Sequence, residues 1–398
     1  MFTTKSIISS ISLSLFIYLE YFNLSNILIN TIISLYGFYL LFTLNKKELF
    51  STGFLTSILW FWWISYSFIY YDLTYLIPLV LIGIGTIYGI LFYFAGVIDS
   101  LLFRVIYFFS LSFINPFNFN WFKLELPFIN SYLGTSKIDF FIILASSAML
   151  IYFQKQNKFK AGIILYIIGL TILSIINKPI LNTVPSELNI LIQNTNISQK
   201  EKWNKNNRNK ILNENFNNIE NAINSNYDLI IFPETSFPIV LNHQKKIEEK
   251  LLKYSKNISI VLGALYEKDK LLYNSSYLFQ DGIITVANKV VLVPFGEAVP
   301  LPEVLRDIIN NTFYNGAKDY ETAEKPTTFN IKDIKFRNAI CYEATTDEIY
   351  KNLDTSYVIA ISNNAWFTPS IQPTLQDLLI KYYSSKYNLY IYSVTNQY

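Results

Sequence analysis

Through the first 178 residues apolar positions run almost without interruption, in stretches close to the roughly 20 residues that cross a bilayer as a helix. Spans are predicted at residues 7–26, 27–44, 50–70, 73–97, 100–116, 138–154 and 161–177. The first junction, "YLEYFNLSN", is broken only by Glu20, and the fourth turn is marked only by Asp99, Ser100 and Arg104. Past Pro185 the period changes to short β-branched runs alternating with polar helical stretches. "LNILIQN", "DLIIFPE", "ISIVLGALYE", "LLYNSSYLFQ", "GIITVANKVVLVPF", "KFRNAICYE", "SYVIAISNN" and "LYIYSVTN" read as strands. "NRNKILNENFNNIENAIN" and "LQDLLIKYYSSKY" read as helices between them. Near-continuous apolar strands separated by helices predict an α/β domain with buried sheets. The chain therefore divides into a membrane domain of about seven helices over 1–178 and an α/β domain over 185–398.

Charge adds an orientation. With the N-terminus in the cytoplasm, one side of the membrane carries Lys5, Lys46, Lys47, Arg104, Lys155, Lys158 and Lys160, and the other Lys123, Lys137 and Lys178. That bias, with an odd number of spans, places everything after residue 178 outside the cytoplasm. No small-x-small cleavage site follows the apolar stretch of residues 1–25, so it reads as a span and not as a signal peptide. The segment 115–134, "NPFNFNWFKLELPFINSYLG", reads either as an interfacial stretch with Trp121 and Phe122 at headgroup level or as a plain connecting loop.

A net charge of +3, with no basic stripe, gives no reason to expect nucleic acid. One cysteine rules out an intramolecular disulfide and Cys-rich zinc or iron–sulfur sites, and one histidine rules out the usual His-based metal sites. No metal and no cofactor is expected. His243, in "VLNHQKKIEEK", opens a polar, helical, surface-type run and has a structural or neutral role. Any covalent chemistry then needs a carboxylate or a lysine as its base.

Cys341 is either an inert core thiol or a nucleophile. Ligands of α/β folds gather beyond the carboxyl ends of strands, and three polar groups stand at such ends: Glu234 after "LIIFP", Lys289 at a strand edge, and Cys341 after "RNAI". A thiol near its reference value of about 8.5 is only a few per cent thiolate at neutral pH. Glu234 and Lys289 are the groups available to activate it.

"FPETSFP", "NKVVLVPFGEAVPLPEVL" and "AICYE", in that order, resemble the Glu-Lys-Cys triad of the nitrilase superfamily. "LVPFGE" after the lysine, with seven spans in front, resembles its membrane branch, the apolipoprotein N-acyltransferases of the bacterial inner membrane. "LIQNTNISQKEKW", ending in Trp203, resembles that family's opening strand and tryptophan. "SNNAWFTPS", with Asn364, Trp366 and Phe367, resembles its loop after the strand that follows the cysteine. Two features depart from the family. The helix after "NNAWF" carries lysines and tyrosines where arginines and a glutamate are usual. The chain stops at "SVTNQY", where the family continues through further strands to an eighth span.

The resemblance implies an α-β-β-α nitrilase-like sandwich in the periplasm and a ping-pong acyl transfer. Glu234 would be the general base and Cys341 the nucleophile. Lys289 would stabilise the oxyanion with a backbone N–H such as that of Tyr342, and Glu297 and Glu343 would orient the lysine and tune the site. Each of those two also has a plain alternative, Glu297 ending a turn after Gly296 and Glu343 capping the helix that follows. The implied donor is a phospholipid, phosphatidylethanolamine, cleaved at its sn-1 ester. The implied acceptor is the α-amino group of the N-terminal diacylglyceryl-cysteine of apolipoproteins. "NNAWFTP" and the loop after Glu297 would keep water from the thioester. The rival readings are a membrane-tethered nitrilase-type amidase, which has no need of seven spans, and a non-catalytic membrane scaffold, which has no need of the three residues.

Overall fold

The computed structural model describes residues 2–176, 183–294, 296–298 and 320–397. The chain falls into two compact units, Met1–Ile180 with Ser370–Tyr382, and Leu181–Pro369 with Tyr383–Tyr398.

In the first unit the helices are α1 (Thr4–Tyr21), α2 (Ile27–Leu41), α3 (Lys46–Phe61), α4 (Ile77–Phe94), α5 (Leu101–Leu111), α6 (Lys137–Lys155) and α7 (Phe159–Ile176). Side-chain caps set several starts: Asn26 for α2, Ser100 for α5, and reciprocal pairs Thr3–Ser6, Asn45–Glu48 and Ser136–Asp139 for α1, α3 and α6. Apolar side chains such as Ile82, Leu102, Ile138 and Ile164 point outward and are exposed, while the serines of α1 are buried. That is the reverse of a water-soluble bundle. Small residues let the helices close on one another: a Cβ on Gly37 would lie 3.0 Å from Ser12 Cβ, and Ser10 Oγ donates to the Thr52 carbonyl at 3.1 Å. Among the described residues, three helical stretches are long and apolar enough to cross a membrane, Thr74–Phe94, Leu101–Asn118 and Lys137–Lys155, with Ile27–Leu41 and Phe159–Ile175 as shorter apolar helices. The span expected at 50–70 changes character after Phe61, continuing as a 3₁₀ turn, Trp62–Tyr71. Lys178 lies outside the described residues.

Within the segment 115–134, Trp121 and Phe122 are not turned outward to headgroup level. Trp121 and Phe122 are buried, the first against Trp63 (ring centroids 5.3 Å apart), the second against Tyr88 (4.4 Å) and Trp60 (5.1 Å). Aromatic surface at the ends of α3 and α4 takes these rings out of reach of headgroups. The segment's carboxylate, Glu125, is fully buried and is paired with Lys137 at 2.6 Å, and Tyr382 Oη donates to it at 2.9 Å. Lys381 donates to Asn130 Oδ1. The lysine and tyrosine that depart from the family pattern thus hold this segment within its unit.

The second unit contains strands β1 (Ile190–Ile192), β2 (Leu229–Ile231), β3 (Phe237–Val240), β4 (Ser259–Lys268), β5 (Leu271–Gln280), β6 (Ile283–Asn288), β7 (Thr328–Ile331), β8 (Ile334–Ile340), β9 (Tyr357–Asn363) and β10 (Tyr390–Asn396). One sheet runs β1-β2-β4-β5-β6 with β3 beside β4; the other runs β10-β9-β8-β7. The neighbours β1-β2, β2-β4, β8-β9 and β9-β10 are parallel. The sheets meet through Leu229, Ile231, Val261 and Leu278 of one and Phe336, Ile340, Ile359, Ile361 and Val394 of the other. The outer face of the first sheet is covered by α9 (Arg208–Asn224), through Leu212, Phe216 and Ile219, and by α10 (Lys245–Tyr254), through Leu251. Val358 and Ala360 alternate with the inward residues of β9 and are also fully buried, so the second sheet too is covered on both faces. A short helix α8 (Gln199–Lys202) follows β1, and α11 (Gln372–Tyr387) precedes β10. This is the nitrilase-like fold. The sequence pattern misses β3 and β7, which are four residues each, and it extends "GIITVANKVVLVPF" too far. β6 stops at Asn288, which leaves Lys289 just beyond a strand end. His243 is exposed, ending a 3₁₀ turn before α10 with Nε2 3.9 Å from Glu267 Oε1.

Candidate active site

Glu234, Lys289 and Cys341 follow β2, β6 and β8 respectively. At two of these ends the backbone is in the left-handed region that side-chain-bearing residues seldom adopt: Thr235 at φ 48° and Cys341 at φ 55°. At Cys341 it ends β8 sharply, and at Thr235 it turns the chain four residues beyond β2; such outliers gather where a side chain must be aimed. The turn at Glu234 depends on a glycine in the neighbouring strand. A Cβ on Gly263 of β4 would meet Thr235 N at 2.5 Å and Glu234 Cα at 2.6 Å. Gly263→Ala is therefore expected to displace the backbone under Glu234. Alkylation of Cys341 and any acyl transfer should fall by an order of magnitude or more although no ionisable group has been removed. Comparing thiol alkylation rates in the two proteins checks this, and equal rates would contradict it.

The ionisable groups form one cluster, with Glu234, Lys289 and Glu343 buried and Glu297 and Cys341 half-buried. Lys289 Nζ lies 2.7 Å from Glu297 Oε2 and 4.0 Å from Glu234 Oε1. Asn274 of β5 bridges the two carboxylates, its Nδ2 donating to Glu234 Oε1 at 2.7 Å and to Glu297 Oε1 at 3.0 Å. The second oxygen of Glu234 accepts the Asn363 backbone N–H at 2.8 Å, and that of Glu297 accepts the Val293 N–H at 2.9 Å. Burial alone would lower the Lys289 ammonium, but the carboxylates of Glu297 and Glu234 outweigh it and hold the lysine above its ordinary value, as a cation. Burial raises Glu234 above the usual carboxylate range, partly opposed by Lys289. A proton can thus rest on Glu234 more easily than on an exposed glutamate. The Cys341 thiol is pushed up to about 12, by burial first and by the charge of Glu234 second, with Lys289 pulling the other way. The thiol stays protonated until a base takes its proton.

Glu343, two residues beyond Cys341, ties the turn to the segment after Lys289. Its Oε2 accepts the Ile340 N–H at 2.7 Å, and its Oε1 accepts the N–H groups of Val290 and Val291, the latter at 3.0 Å. Burial lifts it to about 7, against Lys289 and the three N–H donors. The capping alternative is realised as well, since Glu343 closes the short turn Cys341–Thr345. Tyr342 is buried in that turn, and its carbonyl accepts from Thr345 Oγ1 at 2.6 Å.

Sequence reasoning brought Trp203 and Trp366 forward separately, and one side chain that it missed joins them. With its amide oxygen turned toward the indoles, buried Gln199 accepts from Trp203 Nε1 at 2.9 Å and from Trp366 Nε1 at 3.1 Å. Asn364 is buried in the turn Asn364–Trp366, which the Phe367 N–H closes onto the Asn364 carbonyl at 3.0 Å. Lys202 was missed too. It is buried with Nζ 3.4 Å from both the Glu234 carbonyl and Thr235 Oγ1, and burial depresses it to about 7, opposed by Glu234. A signal for Asn274 exists in the sequence: "NSS" inside the apolar run of β5 places polar side chains where both faces are buried. The loop after Glu297, expected to exclude water, lies outside the described residues from 299 to 319.

Residues 1–172 match the family model described as "Apolipoprotein N-acyltransferase integral membrane domain", and residues 196–397 that described as "Carbon-nitrogen hydrolase". The apolipoprotein N-acyltransferase of Wolinella succinogenes is 38% identical over 393 residues, 98% of this chain and 93% of that protein. Those of Helicobacter hepaticus and Campylobacter jejuni are 36% and 34% identical, covering 88% and 97% of this chain and 87% and 86% of theirs. Identity at that level along both units, with Glu234, Lys289 and Cys341 gathered beyond three strand ends, assigns the chain to the apolipoprotein N-acyltransferase family.

Proposed function

We propose that this membrane protein moves an acyl chain from a phospholipid to the α-amino group of a lipoprotein's N-terminal diacylglyceryl-cysteine, through a thioester on Cys341. The observation that carries this reading is the cluster itself: Cys341 at the end of β8, with Lys289 Nζ 2.7 Å from Glu297 and 4.0 Å from Glu234, where burial raises the thiol and Glu234 and the carboxylates hold the lysine charged. Glu234 takes the Cys341 proton as sulfur attacks the ester carbonyl. The oxyanion formed is stabilised by Lys289 and a backbone N–H at the turn, that of Tyr342. Collapse breaks the C–O bond, and the proton on Glu234 goes to the departing lysophospholipid oxygen. The lipoprotein amine then attacks the thioester, the C–S bond breaks, and the amine's proton returns to sulfur by way of Glu234. Two half-reactions on one nucleophile make this ping-pong catalysis. Glu297 and Asn274 fix Lys289 and Glu234 relative to each other, and Glu343 fixes the turn that presents Cys341.

Phosphatidylethanolamine, opened at its sn-1 ester, is the proposed donor. The membrane domain is taken as 1–178 and the catalytic domain as 185–398. The lysine-rich side of the spans is placed in the cytoplasm and the catalytic domain in the periplasm, with the inner membrane as the site of action. The turn bearing Trp366, pinned through Gln199 to Trp203, is assigned to shielding the thioester from water. The test is transfer. Purified protein given phosphatidylethanolamine labelled in its sn-1 chain and a diacylglyceryl-cysteine peptide should yield labelled triacylated peptide and lysophospholipid in equal amounts. Free labelled fatty acid with no acylated peptide would instead mark a hydrolase.

A further inference from the structure

Away from the cluster, the first unit contains a cavity of about 660 Å³, bounded by the start of α3, the end of α4, the start of α5 and the end of α6. That volume is within the roughly 300–1,000 Å³ of small-molecule sites. Its lining is mixed, with apolar side chains such as Phe42, Leu44 and Ile151 beside three cations, Lys46, Arg104 and Lys155, and one carboxylate, Asp99. Lys46 and Lys155 are exposed, and neither has an ion-pair partner among the described residues. Arg104 is 6% exposed, an unusual burial for a guanidinium. Its Nη1 donates to the terminal carbonyls of α2, Leu41 O at 3.3 Å and Phe42 O at 3.1 Å, which fixes the side chain in place. Its Nε has no hydrogen-bond partner, and a buried N–H left without one costs about 1–3 kcal/mol. Gly96 makes the close approach possible, since a Cβ there would lie 2.8 Å from Lys46 Cα. Val97 lines the cavity and is itself exposed, next to Ile98 and Leu102, so the opening is rimmed by the apolar surface of the spans.

We propose that this cavity binds the phosphate of an anionic ligand, whether the headgroup of a membrane phospholipid or a free phosphate ester. Arg104 and Lys46 would take the phosphate oxygens and Lys155 would supplement the charge. The site lies among the cations of the lysine-rich side of the spans.

Binding to the full chain in detergent tests it, measured by native mass spectrometry and calorimetry with dioctanoyl phosphatidylglycerol, sn-glycerol 3-phosphate and inorganic phosphate as probes. Saturable one-to-one binding is expected, weakened at least tenfold in Lys46→Gln/Lys155→Gln, whose exposed positions leave folding intact. Arg104→Gln should weaken it further, with its thermal midpoint read alongside. Binding of the lipid alone identifies the bilayer as source, and equal binding of glycerol phosphate identifies a soluble one. No saturable binding of any probe, or binding that the double variant leaves unchanged, overturns the proposal.

Discussion

Glu234→Gln will slow thioester formation on Cys341 by a factor of roughly 10² to 10⁴, and the deficit will shrink steadily as pH rises. The amide keeps the shape, and its oxygen can still accept the Asn363 N–H that Glu234 Oε2 accepts at 2.8 Å. It cannot take a proton. The thiol must then be ionised by solvent, so the rate follows the thiolate fraction. Sequence alone puts the recovery above about pH 8.5, the reference thiol value. The structure moves it higher. Burial is the first cause of the rise of Cys341 to about 12, and the charge of Glu234, which the substitution removes, only the second. Quenched-flow mass spectrometry between pH 6 and 10 reads this directly. A deficit that is the same at every pH would show that Glu234 is not the base.

Lys289→Met should cost a comparable factor, about 10² to 10³ for one missing oxyanion donor, with a differently shaped profile. Without the lysine, Glu234 and Glu297 face one another across Asn274 with no cation 2.7 Å from one and 4.0 Å from the other. Lys289 opposes the burial that raises Glu234, so its loss raises that carboxyl further and moves the acid limb of the rate to higher pH. Above that limb the rate should level off, still depressed, because the oxyanion lacks its charge at every pH. Glu234→Gln rises without a plateau; Lys289→Met reaches a low one. Removing one partner of a buried ion pair also costs about 3–5 kcal/mol of stability. Lys289→Met/Glu297→Gln should restore much of the thermal midpoint and none of the plateau. Matching profiles for the two single variants would mean that the roles are wrongly divided.

How much of this was readable in the chain depends on where each residue sits. Glu234, Lys289 and Cys341 stand out because each ends or follows an apolar run, and strand ends are where α/β folds present side chains. The parallel core strands were equally visible, since burial on both faces makes them continuously apolar. Gln199 and Asn363 were not. They are neutral amides whose importance comes from what they meet, and a contact such as that of Asn363 with Glu234, 129 residues apart, leaves no local period. Lys202 lies in a polar run, "SQKEKW", where nothing marks the one lysine that turns inward. Phe122 misled for the opposite reason: an aromatic residue between spans has the same composition whether it meets headgroups or, as here, Tyr88 at 4.4 Å between ring centroids. The left-handed backbone at Thr235 and Cys341 was equally hidden, because neither residue type advertises it.

The central claim is that Cys341 carries the acyl chain. The most direct test is peptide-level mass spectrometry of the full protein incubated with phosphatidylethanolamine and no acceptor. One acyl mass is expected on the peptide containing Cys341, released by neutral hydroxylamine and discharged when diacylglyceryl-cysteine peptide is added. Acyl transfer that proceeds while Cys341 stays unmodified, or an adduct that persists in Cys341→Ser, would contradict it.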